Sequence, residues 1–359
     1  MSQDTETPDG TTNPDNGLAA KPVSAPRRWL RYLLVVSIVL PSLVALMAGG
    51  IYLYGKSVYE AKGTRAESSI VWLKPGLGLN AITDRMAEAG VISDPLVFRI
   101  GARLSGAAQS LKAGEYEIPA DASMAGIVTM LRDGRSILHK ITIPEGLTTQ
   151  QVMALVKADN VLTGDMPLMP REGVLLPETY TFARGTTRIE IVRMMQRAQT
   201  KLMNDLWPTR ADDLPFSTPE EALVLASIVE KETGLAEERP QVAAVFVNRM
   251  RIPMRLQSDP TIVYGITLGA GPLGRPIRRS EIDRATPYNT YQIDGLPPTP
   301  ICNPGRASIE AVLNPPKTKD LYFVADGTGG HAFAPSLAGH LRNVDEWRKF
   351  NRQKKDAAN

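Results

Sequence analysis

Two glutamates bracket a lysine at the end of a run that is otherwise apolar. Residues 217–239 read STPEEALVLASIVEKETGLAEER. A carboxyl group can give a proton to a leaving oxygen and take one back, provided its surroundings keep it protonated near neutrality. Helical geometry separates the candidates. At about 100° per residue, the apolar centre of a helix here falls near Ala222, Ala226 and Val229; Glu232 then lies roughly 55° from it, Glu230 roughly 105° and Lys231 roughly 155°. Glu232 continues the apolar stripe at the edge of a core, where desolvation favours the acid form. It is the candidate general acid. Glu230 is expected nearer solvent, either orienting Glu232 or simply hydrated.

Further along, the stretch MRLQSDPTIVYG places Asp259 as a helix cap and Pro260 in the first turn, with Gln257 and Ser258 expected to be exposed just before a short helix. Residues 286–305, TPYNTYQIDGLPPTPICNPG, form a long loop rich in proline and glycine. Tyr288, Asn289 and Tyr291 give it flat rings and an amide, groups that stack on pyranose faces and pair with hydroxyl or acetamido groups. His331, in the hairpin pattern LYFVADGTGGHAFA, reads as a structural hairpin residue rather than a base. With Cys302 as the sole cysteine and only three histidines, there is no intrachain disulfide and little from which to build a metal site. No metal or cofactor is expected. A net charge of +3 without an aromatic-studded basic patch argues against nucleic acid.

These residues need elements to hold them. Thr218 is a suitable N-cap, Pro219 a first-turn residue, and Glu221 completes a capping box ahead of the apolar run. Helices are expected at 188–206 and 240–250, and the segment EGVLLPETYTF (172–182) carries turn signals at Gly173 and Pro177, with Glu178 and Tyr180 in alternation. Residues 66–165 hold a weak threefold repeat, with short strands at Ile70–Leu73, Tyr116–Ile118 and Ile141–Ile143, each followed by a proline-containing turn and a short amphipathic helix. This reads as one small α+β module, resembling a LysM-like module, that serves as a spacer or holds a polymer. The catalytic domain is expected over 166–350 and a polar tail over 351–359.

The N-terminal residues 1–31 form a polar, proline-rich tail expected to be disordered, ending in Arg27, Arg28 and Arg31. From Tyr32 to Tyr54 no residue is charged, enough to span a bilayer as an uncleaved anchor. The arginines before it place the tail in the cytoplasm and residues 56–359 outside.

The blocks LASIVEKETG, ERPQVAAVFVNRM, MRLQSDPTIVYG, TPYNTYQIDGLPP and LYFVADGTGGHAF, in that order, resemble the YceG-like family of endolytic murein transglycosylases. The resemblance implies a single-pass inner-membrane protein with a LysM-like module and an α+β catalytic domain facing the periplasm. It implies non-hydrolytic cleavage of the β-1,4 bond between N-acetylmuramic acid and N-acetylglucosamine within nascent peptidoglycan strands, which limits strand length and leaves 1,6-anhydro ends. Glu232 is the position of the family's catalytic glutamate, in agreement with the helical wheel. Gln257, Asn289 and Tyr291 become candidates for positioning the sugar, with glycan strands as substrate and peptidoglycan synthases as candidate partners. Two alternatives stay open. One is a muramidase-type hydrolase that pairs Glu232 with Glu178 or Asp259. The other is a wall-binding scaffold without activity.

Overall fold

The computed structural model of the chain describes residues 28–356 and divides it into two units, 1–61 and 62–359. In the first unit a single helix, α1, runs Arg28–Glu60 over 33 residues with Pro41 inside it. The expected disordered tail lies outside the described residues up to position 27. From Arg28 the chain is already helical, so the last residues assigned to that tail belong to the helix. At about 1.5 Å per residue α1 is about 50 Å long, against about 30 Å for a bilayer's hydrocarbon core. The large apolar side chains from Tyr32 to Tyr54 are all exposed. A helix that is apolar all round and covered by no protein is long and apolar enough to cross a membrane.

The second unit opens with β1 (Ser69–Leu73), α2 (Leu79–Glu88), α3 (Pro95–Leu104) and β2 (Gly114–Ile118). β1 and β2 pair antiparallel with Val71 opposite Tyr116, and the inward residues Val71, Leu73, Tyr116 and Ile118 are buried. Helix α4 (Met124–Asp133) follows, capped by Ser123 and closed by Gly134 at a φ of 75°. Then come β3 (Leu138–Thr142), α5 (Thr149–Ala158), β4 (Thr179–Ala183) and α6 (Arg188–Leu206).

The strand pairing cuts across the threefold repeat. β3 does not join β1 and β2; it pairs antiparallel with β4, Ile141 opposite Tyr180. The third copy therefore shares a core with β4 and α6, in which Ile141, Val152, Val156, Leu175, Phe182, Ile191 and Met195 are buried together. The physical reason lies in Tyr180 and Phe182, whose alternation supplies the apolar face that β3 needs.

The remaining elements are α7 (Pro219–Glu232), α8 (Arg239–Arg251), α9 (Asp259–Thr267), α10 (Arg279–Ile282), α11 (Arg306–Leu313), the hairpin β5 (Tyr322–Ala325) and β6 (His331–Ala334), and α12 (Leu337–Asp356). Three two-stranded antiparallel sheets among these helices make the fold mixed α+β. α7 begins as its sequence dictates: the Thr218 side chain accepts from Glu221 N–H, and Glu221 reaches back to the Thr218 backbone. Its residues Ala222, Leu225, Ala226, Ile228 and Val229 are buried against Val242, Ala243 and Phe246 of α8 and Ile309, Val312 and Leu313 of α11. Each large aliphatic buried there contributes about 1.5–3 kcal/mol. The end of α7 is thereby fixed to a rigid three-helix core.

Candidate active site

Helix α7 stops at Glu232 because Thr233 turns extended, at φ −135° and ψ 134°. The Thr233 hydroxyl accepts the Leu235 N–H at 3.0 Å and donates to Glu238 at 3.4 Å. Glu238 in turn accepts the His331 backbone N–H, and its other carboxylate oxygen lies 2.7 Å from His331 Nδ1. The β5–β6 hairpin is thus tied to the turn that ends α7. His331 acts in this tie, as its hairpin position predicts, and it is an electrostatic neighbour of Glu232.

Glu232 is only partly exposed, and its Oε1 accepts the Ser258 hydroxyl at 2.5 Å. Burial pushes its carboxyl up to about 7; the Ser258 hydrogen bond opposes the rise, the neighbouring Asp259 carboxylate adds to it, and His331 and Arg249 oppose it. A large share of the molecules therefore carries the proton near neutrality, the condition for a general acid.

The loop before α9 is locked in place by backbone pairing. Gln257 has a left-handed φ of 52°, which costs a non-glycine residue about 1–2 kcal/mol. The Gln257 N–H donates to Thr290 O at 3.1 Å, the Ser258 N–H to Thr290 Oγ1 at 2.9 Å, and the Thr261 hydroxyl to Ser258 O at 2.6 Å. Arg249, buried on α8, holds the other side: it donates to Leu256 O and Leu321 O, each at 2.6 Å, with its guanidinium over the Tyr322 ring.

The residues singled out from the sequence fare differently. The cap of α9 is Ser258, not Asp259; its side chain makes no capping bond, and its hydroxyl donates to Glu232. Ser258 is buried rather than exposed, whereas Gln257 is exposed at the site. Asp259 is exposed and accepts the Tyr291 hydroxyl at 2.7 Å, so both belong to the neighbourhood of Glu232.

Asn289 is turned into the protein. It is buried, its amide donates to the carbonyls of Glu281, Ile282 and Arg284, and its oxygen accepts the Tyr291 N–H. It shapes the loop that presents Tyr291. Tyr288 likewise bonds Thr299 and packs on Tyr264.

Glu230 is not hydrated either. Its side chain is 4% exposed, pairs with Arg239 at 3.4 Å, and accepts Gly305 N–H at 2.9 Å and the Ser308 hydroxyl at 2.8 Å. It caps the start of α11 and makes no contact with Glu232. Glu178 is exposed beside β4, and nothing ties it to Glu232. Ser258, Thr290 and Arg249 escape sequence reasoning as site residues; only Arg249, a charge directly after the largely apolar run VAAVFVN (242–248), leaves a visible signal.

The chain is 28% identical to an endolytic murein transglycosylase of Bacillus subtilis, an alignment covering 86% of this chain and 93% of that protein. It is 29% identical to an endolytic murein transglycosylase of Streptococcus pneumoniae, over 85% of this chain and 63% of that longer protein. A solved YceG-like protein from Listeria monocytogenes aligns with a TM-score of 0.47 at 28% identity, covering 77% of this chain and 98% of its own. The YceG-like family matches continuously over residues 71–346, from β1 through the candidate acid to α12, and the polypeptide belongs to that family.

Proposed function

We propose that the chain is an endolytic peptidoglycan lytic transglycosylase whose working group is Glu232. The observation that carries the reading is the Glu232 carboxyl, held up to about 7 by burial, in a chain similar to proteins named endolytic murein transglycosylases. Glu232 donates its proton to the glycosidic oxygen as the bond from muramyl C1 breaks, releasing the N-acetylglucosamine side as an alcohol. The C6 hydroxyl of the same muramyl residue then attacks C1, and the Glu232 carboxylate takes its proton. A 1,6-anhydro ring closes and the acid form is restored, with no water consumed. One carboxylate serves in sequence where two-carboxylate glycosidases divide the work.

Gln257, exposed beside Ser258, and the half-buried ring of Tyr291 are the candidates to contact the sugar; Asn289 contributes by holding the loop. The apolar helix α1 serves as a single-pass anchor with the N-terminus cytoplasmic and the second unit periplasmic, supported by Arg27, Arg28 and Arg31 ahead of the span. The β1–β2 part acts as a glycan-holding module, and nascent strands are the substrate. Among second readings, Asp259 alone favours hydrolysis, because a second carboxyl neighbours Glu232. Digestion of purified glycan strands by the detergent-solubilised full chain, with mass analysis of the new ends, separates the two. Anhydro ends support transglycosylation, and ordinary reducing ends reject it.

A further inference from the structure

Every hydroxyl hydrogen must point somewhere, and for Ser258 the choice is narrow. The residue is 1% exposed, and its backbone N–H and C=O are already engaged with Thr290 and Thr261. As N-cap of α9 its side chain would ordinarily accept from an N–H in the first turn. Here it makes no such bond, and Glu232 Oε1 is the acceptor that it reaches among the described residues. The other oxygen, Oε2, has no hydrogen-bond partner among those residues. The left-handed turn at Gln257 and the Thr290 clasp keep Ser258 in this position. The chain thus accepts a strained residue and an uncapped helix start where a relaxed turn would aim the hydroxyl at its own helix.

We infer that Ser258 is a positioning residue that occupies Oε1 of Glu232, so that Oε2 is the atom that gives the proton to the leaving oxygen and takes it back from the sugar hydroxyl. The inference rests on the proposed role of Glu232. With Oε1 held as an acceptor, the proton of the acid form resides on Oε2, and the carboxyl plane is fixed by one short bond at the end of a rigid helix. Without it the carboxyl turns about its terminal torsion, and the proton is shared between two oxygens in several orientations. The ionisable groups facing Glu232 are Asp259 from α9, Arg249 from α8, His331 from β6 and Tyr291 from the loop; among the described residues none of them hydrogen-bonds either oxygen, so Ser258 alone sets the orientation.

Ser258→Ala tests this with two readouts of opposite sense. Losing the orientation lowers kcat on glycan strands by about tenfold to a hundredfold with KM little changed. Losing a donor to the charged form also makes Glu232 a weaker acid, so the alkaline limb of the pH–rate profile moves to higher pH. Ser258→Cys, a weak donor of similar volume, falls between the two and guards against misfolding of the alanine variant. A carboxyl-carbon NMR titration of Glu232 in both variants shows the same upward movement without reference to activity. An unchanged kcat, or a lowered kcat with an unmoved limb and an unmoved titration, overturns the inference. If the unaltered chain makes no anhydro ends, it is the proposed function that fails, and the titration still decides whether Ser258 bonds the carboxyl.

Discussion

Two partly buried carboxyls in the second unit invite comparison. Glu172 lies at the start of the segment leading to β4, and burial raises its pKa, as it does that of Glu232. There the likeness ends. Glu172 Oε1 accepts the Thr149 N–H at 2.7 Å, the Thr149 hydroxyl at 2.9 Å and the Asn303 amide at 3.3 Å, while Oε2 accepts the Tyr264 hydroxyl at 3.1 Å. Its acceptor capacity is spent on joining α5, α9 and the loop before α11. Among the described residues Glu232 has one donor, on Oε1, and an Oε2 that accepts from none. Desolvation alone does not separate the two; what distinguishes Glu232 is an oxygen that no group among the described residues occupies, as the proposed role requires.

The largest expected effect follows from removing that oxygen's proton. Glu232→Gln keeps shape and polarity but cannot cycle a proton, and cleavage of glycan strands falls by about 10²–10⁴-fold or below detection. The same variant sharpens the contrast in stability. Because the folded-state pKa of Glu232 lies above that of the unfolded chain, the folded protein binds the proton more tightly, and stability is lost as pH rises through about 7. Glu232→Gln therefore raises Tm above neutrality and leaves it nearly unchanged at acidic pH. A variant that melts lower than the unaltered protein under alkaline conditions contradicts this assignment.

Glu172→Gln exchanges the pattern. It leaves buried donors facing an amide, so unfolding free energy falls by about 1–3 kcal/mol while kcat of the folded fraction changes little. Denaturant titration beside single-turnover rates makes the separation. If Glu172→Gln abolished cleavage in a fully folded protein, the distinction between the two carboxyls would collapse.

The smallest effect is expected at Asp259. Its charge helps to keep Glu232 protonated, so Asp259→Asn moves the alkaline limb of the pH–rate profile to lower pH and costs only a few-fold in kcat. A loss as large as that of Glu232→Gln would instead make Asp259 a second essential acid and favour hydrolysis.

Much of this was legible in the sequence where the determinants are local. Thr218, Pro219 and Glu221 start α7 as their types require, and the wheel directs Glu232 inward. The wheel misplaces Glu230 because it assumes one apolar side. α7 is buried nearly all round, and α11 supplies Gly305 and Ser308 on the flank that would otherwise be wet. Ser258 and Asn289 were misread for a similar reason. Both look like ordinary cap or loop residues until partners outside their own turns, Thr290 for one and the carbonyls around α10 for the other, draw them inside. The pairing of β3 with β4 was likewise hidden, since three similar stretches suggested one α+β module and only long-range register assigns the third strand elsewhere.

The central claim is that Glu232 is a carboxylic acid near neutrality with its proton available for exchange. The direct measurement is a pH titration of the full chain labelled at glutamate carboxyl carbons, with Glu232→Gln used to assign the signal. The account predicts a carboxyl that titrates near about 7 and disappears in the variant. A Glu232 signal that titrates in the ordinary carboxylate range, about 4.3, would contradict it.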